Sequence, residues 1–431
     1  MNPPPPVIKN KSGKQPPPLF LPQMEGFVYT LMLPTFGQSR AFGPCCFVGG
    51  FVVIFFLLIL FLVLAHYILF PGIIILLARL KKGPPPKELP QDAYPRVSLV
   101  ICAFNEEGVI REKLLNSIAL EYPKGKLEIT VVADGSTDKT ANIAAEFEQY
   151  GIRTLRSEIR MGKSAALNNG ARVSTGDIIV FSDANAFYHQ DALFFLVRHF
   201  SDPVVGAVTG RKTIRKSDRI RSGLGDSAFW KVESLIKASQ STLGSISTGD
   251  GEIFAVKRHL FQALPPRTIN DDVAITLSLV QRGYRVLYEP LAICEEEASH
   301  TLSDEFRVKA RIVCGGYQTL SSHLGEFLIP RRFFYVQFFM HKGLRHLMPF
   351  LLVSLFVSTL ILGGTGGGLF ALAQALFYLC AILTHYFKSL SRLKVCELVR
   401  YYCLMNIAAL VGAYYFLSQP SLDTLWPKAE R

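Results

Sequence analysis

Three short acidic signatures and one basic run carry the chemistry open to this sequence. They are Ala133-Asp134-Gly135-Ser136-Thr137-Asp138, then Asp183-Ala184-Asn185, then Asn270-Asp271-Asp272, with a basic run from Arg307 to Arg311 behind them. An Asp and an Asn two residues apart offer hard oxygen ligands suited to Mg²⁺ or Mn²⁺. Basic side chains neutralise a leaving diphosphate. A carboxylate within hydrogen-bond reach deprotonates an acceptor hydroxyl. In this order the series describes chemistry on a metal-bound nucleotide diphosphate.

Each member alone has a plainer reading. Asp183-Ala-Asn185 on its own reads more readily as a surface turn, since both residue types favour turns. Asp134-Gly-Ser136 either hydrogen-bonds a nucleobase or ribose, or forms a turn capping the helix that begins near Asp138. Arg160-Met-Gly-Lys163 before Ala165-Ala-Leu-Asn168 puts Lys163 on a phosphate or at a solvated helix start. Asp271 and Asp272 open a helix over 273–282, where a carboxylate caps the helix dipole or, aimed into a cleft, serves as a base. Thr248-Gly-Asp-Gly-Glu-Ile-Phe254 is a glycine-flexible loop open to a substrate, or a hairpin turn. Arg307, Lys309 and Arg311 either grip a diphosphate or belong to a charge belt at a membrane face.

These residues need elements that hold them. Val97–Ala103, Ile129–Ala133, Asp177–Ser182 and Val204–Thr209 are apolar runs of buried-strand length, with Thr154-Leu155 as a short further strand. Helical spacing over 108–119 and 138–149 separates the first of them. Alternating strands and helices predict a largely parallel α/β sheet with ligands at the carboxyl ends of its strands. Asp134 and Asp183 both fall at such ends.

The flanks are apolar. Cys46–Ala78 exceeds the ~20 residues that cross a bilayer and predicts one tilted transmembrane helix over 46–79, kinked at Pro71-Gly72. Arg79, Lys81 and Lys82 put its carboxyl end in the cytoplasm, and Gly83-Pro84-Pro85-Pro86 forms a stiff linker. The expected layout is a Pro-rich disordered tail (1–45), the first span, a cytoplasmic domain (85–330) and an interfacial amphipathic helix (331–346). Three spans (347–418) and a short tail (419–431) follow. With 49% hydrophobic residues among 431 the chain exceeds an ordinary soluble enzyme. Its net charge of +12 comes without any nucleic-acid-binding spacing, which excludes a nucleic-acid partner. Eight cysteines in no paired spacing carry no metal or disulfide framework.

Taken together, these residues resemble the membrane-spanning family 2 glycosyltransferases, the group of cellulose, hyaluronan, chitin and poly-N-acetylglucosamine synthases. The likeness covers residues 95–330. Ala103-Phe-Asn-Glu106 resembles the family's first nucleotide-binding turn. Asp134-Gly-Ser-Thr-Asp138 is similar to its Asp-Asp-Gly-Ser signature with Ala133 for the first Asp. Gly162-Lys163 with Ala166-Leu-Asn168 resembles its Gly-Lys…Ala-Leu-Asn segment. Asp183-Ala-Asn185 stands for Asp-x-Asp, and Asn270-Asp271-Asp272 for Thr-Glu-Asp. The resemblance implies a GT-A type α/β domain and a nucleotide-sugar donor, with Mg²⁺ or Mn²⁺ on Asp183 and Asn185. It makes Asp272 the catalytic base and places Ala103, Glu106, Asp134, Lys163, Asp271 and Arg311 at the substrates. The processive Gln-x-x-Arg-Trp motif keeps only Arg311, because Ile312 replaces the Trp that stacks an acceptor sugar. Trp230 is then the candidate acceptor platform. The implied protein is an inverting transferase of the inner or plasma membrane. It acts on a lipid or growing glycan, with an export subunit or self-association as further partners. Single-sugar transfer to a lipid, or a degenerate scaffold, are the alternatives.

Overall fold

The computed structural model describes residues 44–81, 90, 93–215, 223–297, 302–328, 332–387 and 389–419. Most of the expected disordered tail, the Gly83–Pro86 linker and the tail beyond 419 lie outside the described residues. Pro44 and Cys45 already belong to the first helix.

The entry helix runs as α1 (Pro44–Leu64), a π-helical turn (Ala65–Leu69) and α2 (Phe70–Leu80). Pro71 has no N–H for the carbonyl of Tyr67, and the wider turn just before it absorbs the break in the ladder.

The domain then builds one eight-stranded sheet. In chain order come β1 (Val97–Ala103), α3 (Ile110–Ile118), β2 (Leu127–Asp134), α4 (Thr140–Ala145) and β3 (Ile152–Ser157). Next are α5 (Lys163–Val173), β4 (Ile178–Asp183), β5 (Phe187–Tyr188), α6 (Ala192–Val197) and β6 (Val205–Arg215). They are followed by α7 (Gly223–Leu243), β7 (Phe254–Lys257), α8 (Asp271–Gln281) and β8 (Arg285–Glu297). The strand order is β3-β2-β1-β4-β7-β6-β8-β5. β3, β2, β1 and β4 are parallel, β7 runs against both β4 and β6, and β6 pairs parallel with β8. The strands expected from apolar runs are present, and the third is six residues long. The antiparallel insertion and β8 escape that reading. β8 holds Pro290 beside a register shift and ends in three glutamates, so no apolar run marks it.

Two apolar layers clamp the sheet. Leu99, Ile101, Val131 and Val180 face α3 and α6, while Val100, Val132, Ile179 and Phe181 face α5 and α8. Register aligns Ala103 with Ala133 and Cys102 with Asp183, so the candidate residues share one sheet edge.

Beyond the sheet lie α9 (Leu302–Ser322), α10 (Leu324–Leu328), α11 (Phe333–Phe338), α12 (Leu344–Leu362), α13 (Gly364–Tyr386) and α14 (Lys394–Ser418). A π turn (Phe339–Gly343) makes α11 and α12 one 30-residue helical rod. The expected interfacial helix at 331–346 and the span after it are therefore continuous. Among the described residues four helices are long and apolar enough to cross a membrane: 50–80, 333–362, 364–386 and 394–418. α9 packs against α14 so tightly that a side chain at Gly412 would meet the Ala310 carbonyl at 2.5 Å.

Candidate active site

The loops after β1 and β2 are fastened to each other. The Asn105 amide N–H donates to Ser136 Oγ (3.1 Å), and the Thr137 N–H donates to Asn105 Oδ1 (2.8 Å). Asn105 takes a positive φ of 55°, which a short amide side chain tolerates. The Glu106 N–H donates to Thr140 Oγ1 (2.7 Å), and Ala103 is buried at the end of β1.

Asp134 is buried and turned to its own chain. Its carboxylate accepts N–H bonds from Met161 (3.0 Å) and Gly162 (2.7 Å). Asp134 thereby fixes the turn that launches α5 at Lys163. Gly135, at φ +66°, lets that turn close, because a Cβ there would lie 2.6 Å from Arg160 Cα.

Lys163 points across the cleft. Its Nζ lies 2.7 Å from Asp183 Oδ1 and 3.8 Å from Asp271 Oδ2. Burial alone would lower this ammonium, but Asp183, Asp271 and Glu252 together raise it above the ordinary lysine range. Asp271 opens α8 and is buried, with its carboxyl raised by that burial. Asp272 is only partly buried, and its carboxyl is pushed up to about 7 by burial and then by Asp271, with Lys237 pulling the other way. A carboxyl tuned near neutrality in a cleft has the property a general base requires.

Asp183 and Asn185 turn to different partners. Asp183 turns to Lys163, whereas the Asn185 side-chain amide, 8% exposed, donates to Glu296. The reason is the turn that follows β4, in which Asn185 is a buried donor beside the acidic end of β8. Glu296 also receives Lys212, which lies 2.7 Å from Glu252. Asp183, Asp250, Glu252, Asp271, Asp272 and Glu296 thus surround Lys163, Lys212 and Lys237, six carboxylates against three ammonium groups. Acidic side chains outnumber the lysines in this cluster, which suits a divalent cation. Among the described residues no group of three or more His, Cys, Asp or Glu side chains could hold a metal ion. Mg²⁺ and Mn²⁺ sites of this kind use one or two carboxylates and complete their shell with substrate phosphates.

Trp230 lies on α7, its ring 5.3 Å from Lys212 Nζ and 5.6 Å from Lys309 Nζ. The structure therefore brings it beside the carboxylate cluster. α9, which carries half-buried Arg311, is pinned to the loop before α8. The Asn270 amide donates to the Ile312 carbonyl (3.0 Å), and the Ile269 N–H donates to Gln318 Oε1 (3.3 Å).

Lys113, Lys212, Lys237 and Glu296 carried no signal in the sequence. Lys113 sits in a helix whose periodicity says nothing of its burial, yet its ammonium donates to the Ala186 carbonyl and lies 4.2 Å from the Tyr188 ring centroid. Burial lowers it to about 7. It props the turn carrying Asp183 and Asn185 from beneath. Asp250 and Glu252 lie in the glycine-rich loop already suspected of meeting a substrate.

A parallel half-sheet bearing carboxylates at its strand ends, a lysine between them and an acidic pair at a facing helix start define a GT-A type transferase domain. Residues 98–264 match the Glycosyl transferase family 2 model. The poly-beta-1,6-N-acetyl-D-glucosamine synthase of Staphylococcus aureus (strain MSSA476) is 29% identical over 247 residues, 56% of this chain and 60% of that protein. The enzyme of the same name from Staphylococcus epidermidis is 29% identical over 229 residues, 52% of this chain and 55% of that protein. The matched region thus spans well under two thirds of these relatives. A mannosyltransferase from Pyrobaculum calidifontis, solved with GDP-Man and Mn²⁺, shares the fold. Its TM-score is 0.63 at 22% identity, over 85% of this chain and all of that one.

Proposed function

We propose that the protein is an inverting glycosyltransferase. It moves a sugar from a nucleotide donor, UDP-linked, to a polysaccharide or lipid-linked acceptor at the cytoplasmic face of a membrane. The observation that carries this reading is geometric: Lys163 stands 2.7 Å from Asp183 at the end of β4 and 3.8 Å from Asp271 at the start of α8, with Asp272 next to Asp271 on that helix. Asp183, with Asp271 near it, would hold Mg²⁺ or Mn²⁺, which when bound offsets the charge of the leaving diphosphate. Lys163 and Arg311 bind the diphosphate, and Asp134 positions Lys163 through the Met161–Gly162 backbone. Trp230 presents an aromatic face to an acceptor sugar. Asp272 takes the acceptor proton, and one displacement at the anomeric carbon gives a β-linkage from an α-linked donor. The relatives' names favour a polymer product. Ile312, 42% exposed where processive members carry Trp, favours the second reading, single-sugar transfer to a lipid. An export subunit or a second copy is the further partner a polymer would need.

The test uses purified full-length protein in lipid nanodiscs with Mg²⁺ or Mn²⁺ and a panel of nucleotide sugars, reading nucleotide release and product length. Transfer from a UDP-sugar, abolished by EDTA and restored by the cation, is expected. Replacing Asp272 by Asn should lower kcat by 10²–10⁴, the usual worth of a general base. Absence of transfer with every donor would overturn the reading.

A further inference from the structure

α7 carries a second charged side chain that faces the site from behind. Lys237 is 2% exposed, and its Nζ donates to Asp250 Oδ1 (2.5 Å) and to the Gly249 carbonyl (3.4 Å). The Asp250 backbone is held in turn. Its N–H donates to Thr209 Oγ1 (2.8 Å), and its carbonyl accepts the Ile253 N–H (3.0 Å). This loop runs beside the base, since a Cβ on Gly249 would stand 3.6 Å from Asp272 Cβ. Phe254, fully buried, lies on that same side of Gly249, 2.4 Å from where the Cβ would stand, so the loop and the base share one packed corner.

A buried ion pair is seldom more stable than two apolar residues of the same volume. Its placement against Asp272 supplies a reason for it other than stability. We infer that Lys237 is a positioning residue for the base. Its ammonium pins the Gly249–Asp250 loop against Asp272 and keeps a second carboxylate from crowding it. The inference rests on the reading of Asp272 as the base. Without Lys237 the Asp250 carboxylate loses its counter-charge, the Gly249 carbonyl loses a donor, and the wall behind Asp272 moves. A shift of about 1 Å at a reacting group costs on the order of 10²-fold in rate.

The experiment compares wild type, Asp272→Asn, Lys237→Met, Asp250→Asn and the double variant Lys237→Met/Asp250→Asn as full chains in nanodiscs. Steady-state kinetics and thermal unfolding are read for each. Both single variants at the pair are expected to lose about 100-fold in kcat while the donor KM stays within about threefold. The double variant, which leaves no buried charge unpaired, is expected to regain about tenfold over Lys237→Met. A Lys237→Met enzyme with kcat within threefold of wild type overturns the inference. So does a loss of activity matched by an equal loss of folded protein, or a double variant no better than the single. If Lys237→Met does not fold, Asp250→Asn decides by the same criteria. Wild-type kcat in Asp272→Asn would instead overturn the reading of the base itself, a result separable from the behaviour of Lys237.

Discussion

Neutralising Glu233 will loosen the catalytic domain from its membrane helices. Glu233 lies on α7, one turn from Lys237, and is 3% exposed. Lys342 reaches it from the rod formed by α11 and α12, with Arg345 at 3.2 Å and His341 at 3.4 Å. Burial pushes its carboxyl up, but Lys342, His341 and Arg345 outweigh that and hold it well below the ordinary range. The Glu233→Gln side chain keeps the shape and removes the charge that Lys342 and Arg345 face. Breaking a buried pair in this way costs about 3–5 kcal/mol. At about 2–4 °C per kcal/mol for a unit of this size, Tm should fall by roughly 6–20 °C. Thermal unfolding in nanodiscs at neutral pH reads this directly. The pH dependence has a definite sign. A carboxylate depressed in the folded state adds stability that is complete above its unfolded value near 4.5 and is lost as pH falls below it. The variant and the wild type should therefore converge in Tm below pH 4.5. A variant within 2 °C of wild type at neutral pH would refute the reasoning, as would a gap that widens on acidification.

Two further outcomes follow from the cleft. Because the Asp272 carboxyl sits at about 7 and a base must be ionised, kcat should fall tenfold per unit below that pH; an acid limb below pH 5 in the pH–rate profile would count against this assignment. Gly135→Ala places a Cβ 2.6 Å from Arg160 Cα at a φ of +66°. The turn that Asp134 holds must then open, and donor KM should rise at least tenfold; an unchanged KM would mean that this turn does not set Lys163.

Much of the fold was legible because its signals are local. The runs at 97–103, 129–133 and 177–182 declare buried parallel strands, and the acidic residues after the second and third fall where such sheets bind ligands. What stayed hidden depends on partners distant in the chain. Glu233 and Lys237 look like two polar residues on a helix, and only the fold sets Lys342 and Asp250 against them. Lys113 meets the Ala186 carbonyl across 73 residues. Asn185 was legible as a polar turn residue, but its bond to Glu296 depends on β8, a strand with no apolar run. The helix that carries the basic run is fixed on two sides that no local pattern announces: Ala310 and Val313 rest against α14, while Ile312 and Gln318 hold the loop before Asp271.

That double attachment of α9 decides how the protein can be handled. Trimming the chain before residue 394 to obtain a water-soluble catalytic fragment would strip the cover from Ala310 and Val313. The same helix that would then seek new apolar contacts is the one holding the Asn270 loop in place. Solubilising the enzyme by truncation would thus disarm it, and study of its turnover has to keep the last bilayer helix on the chain.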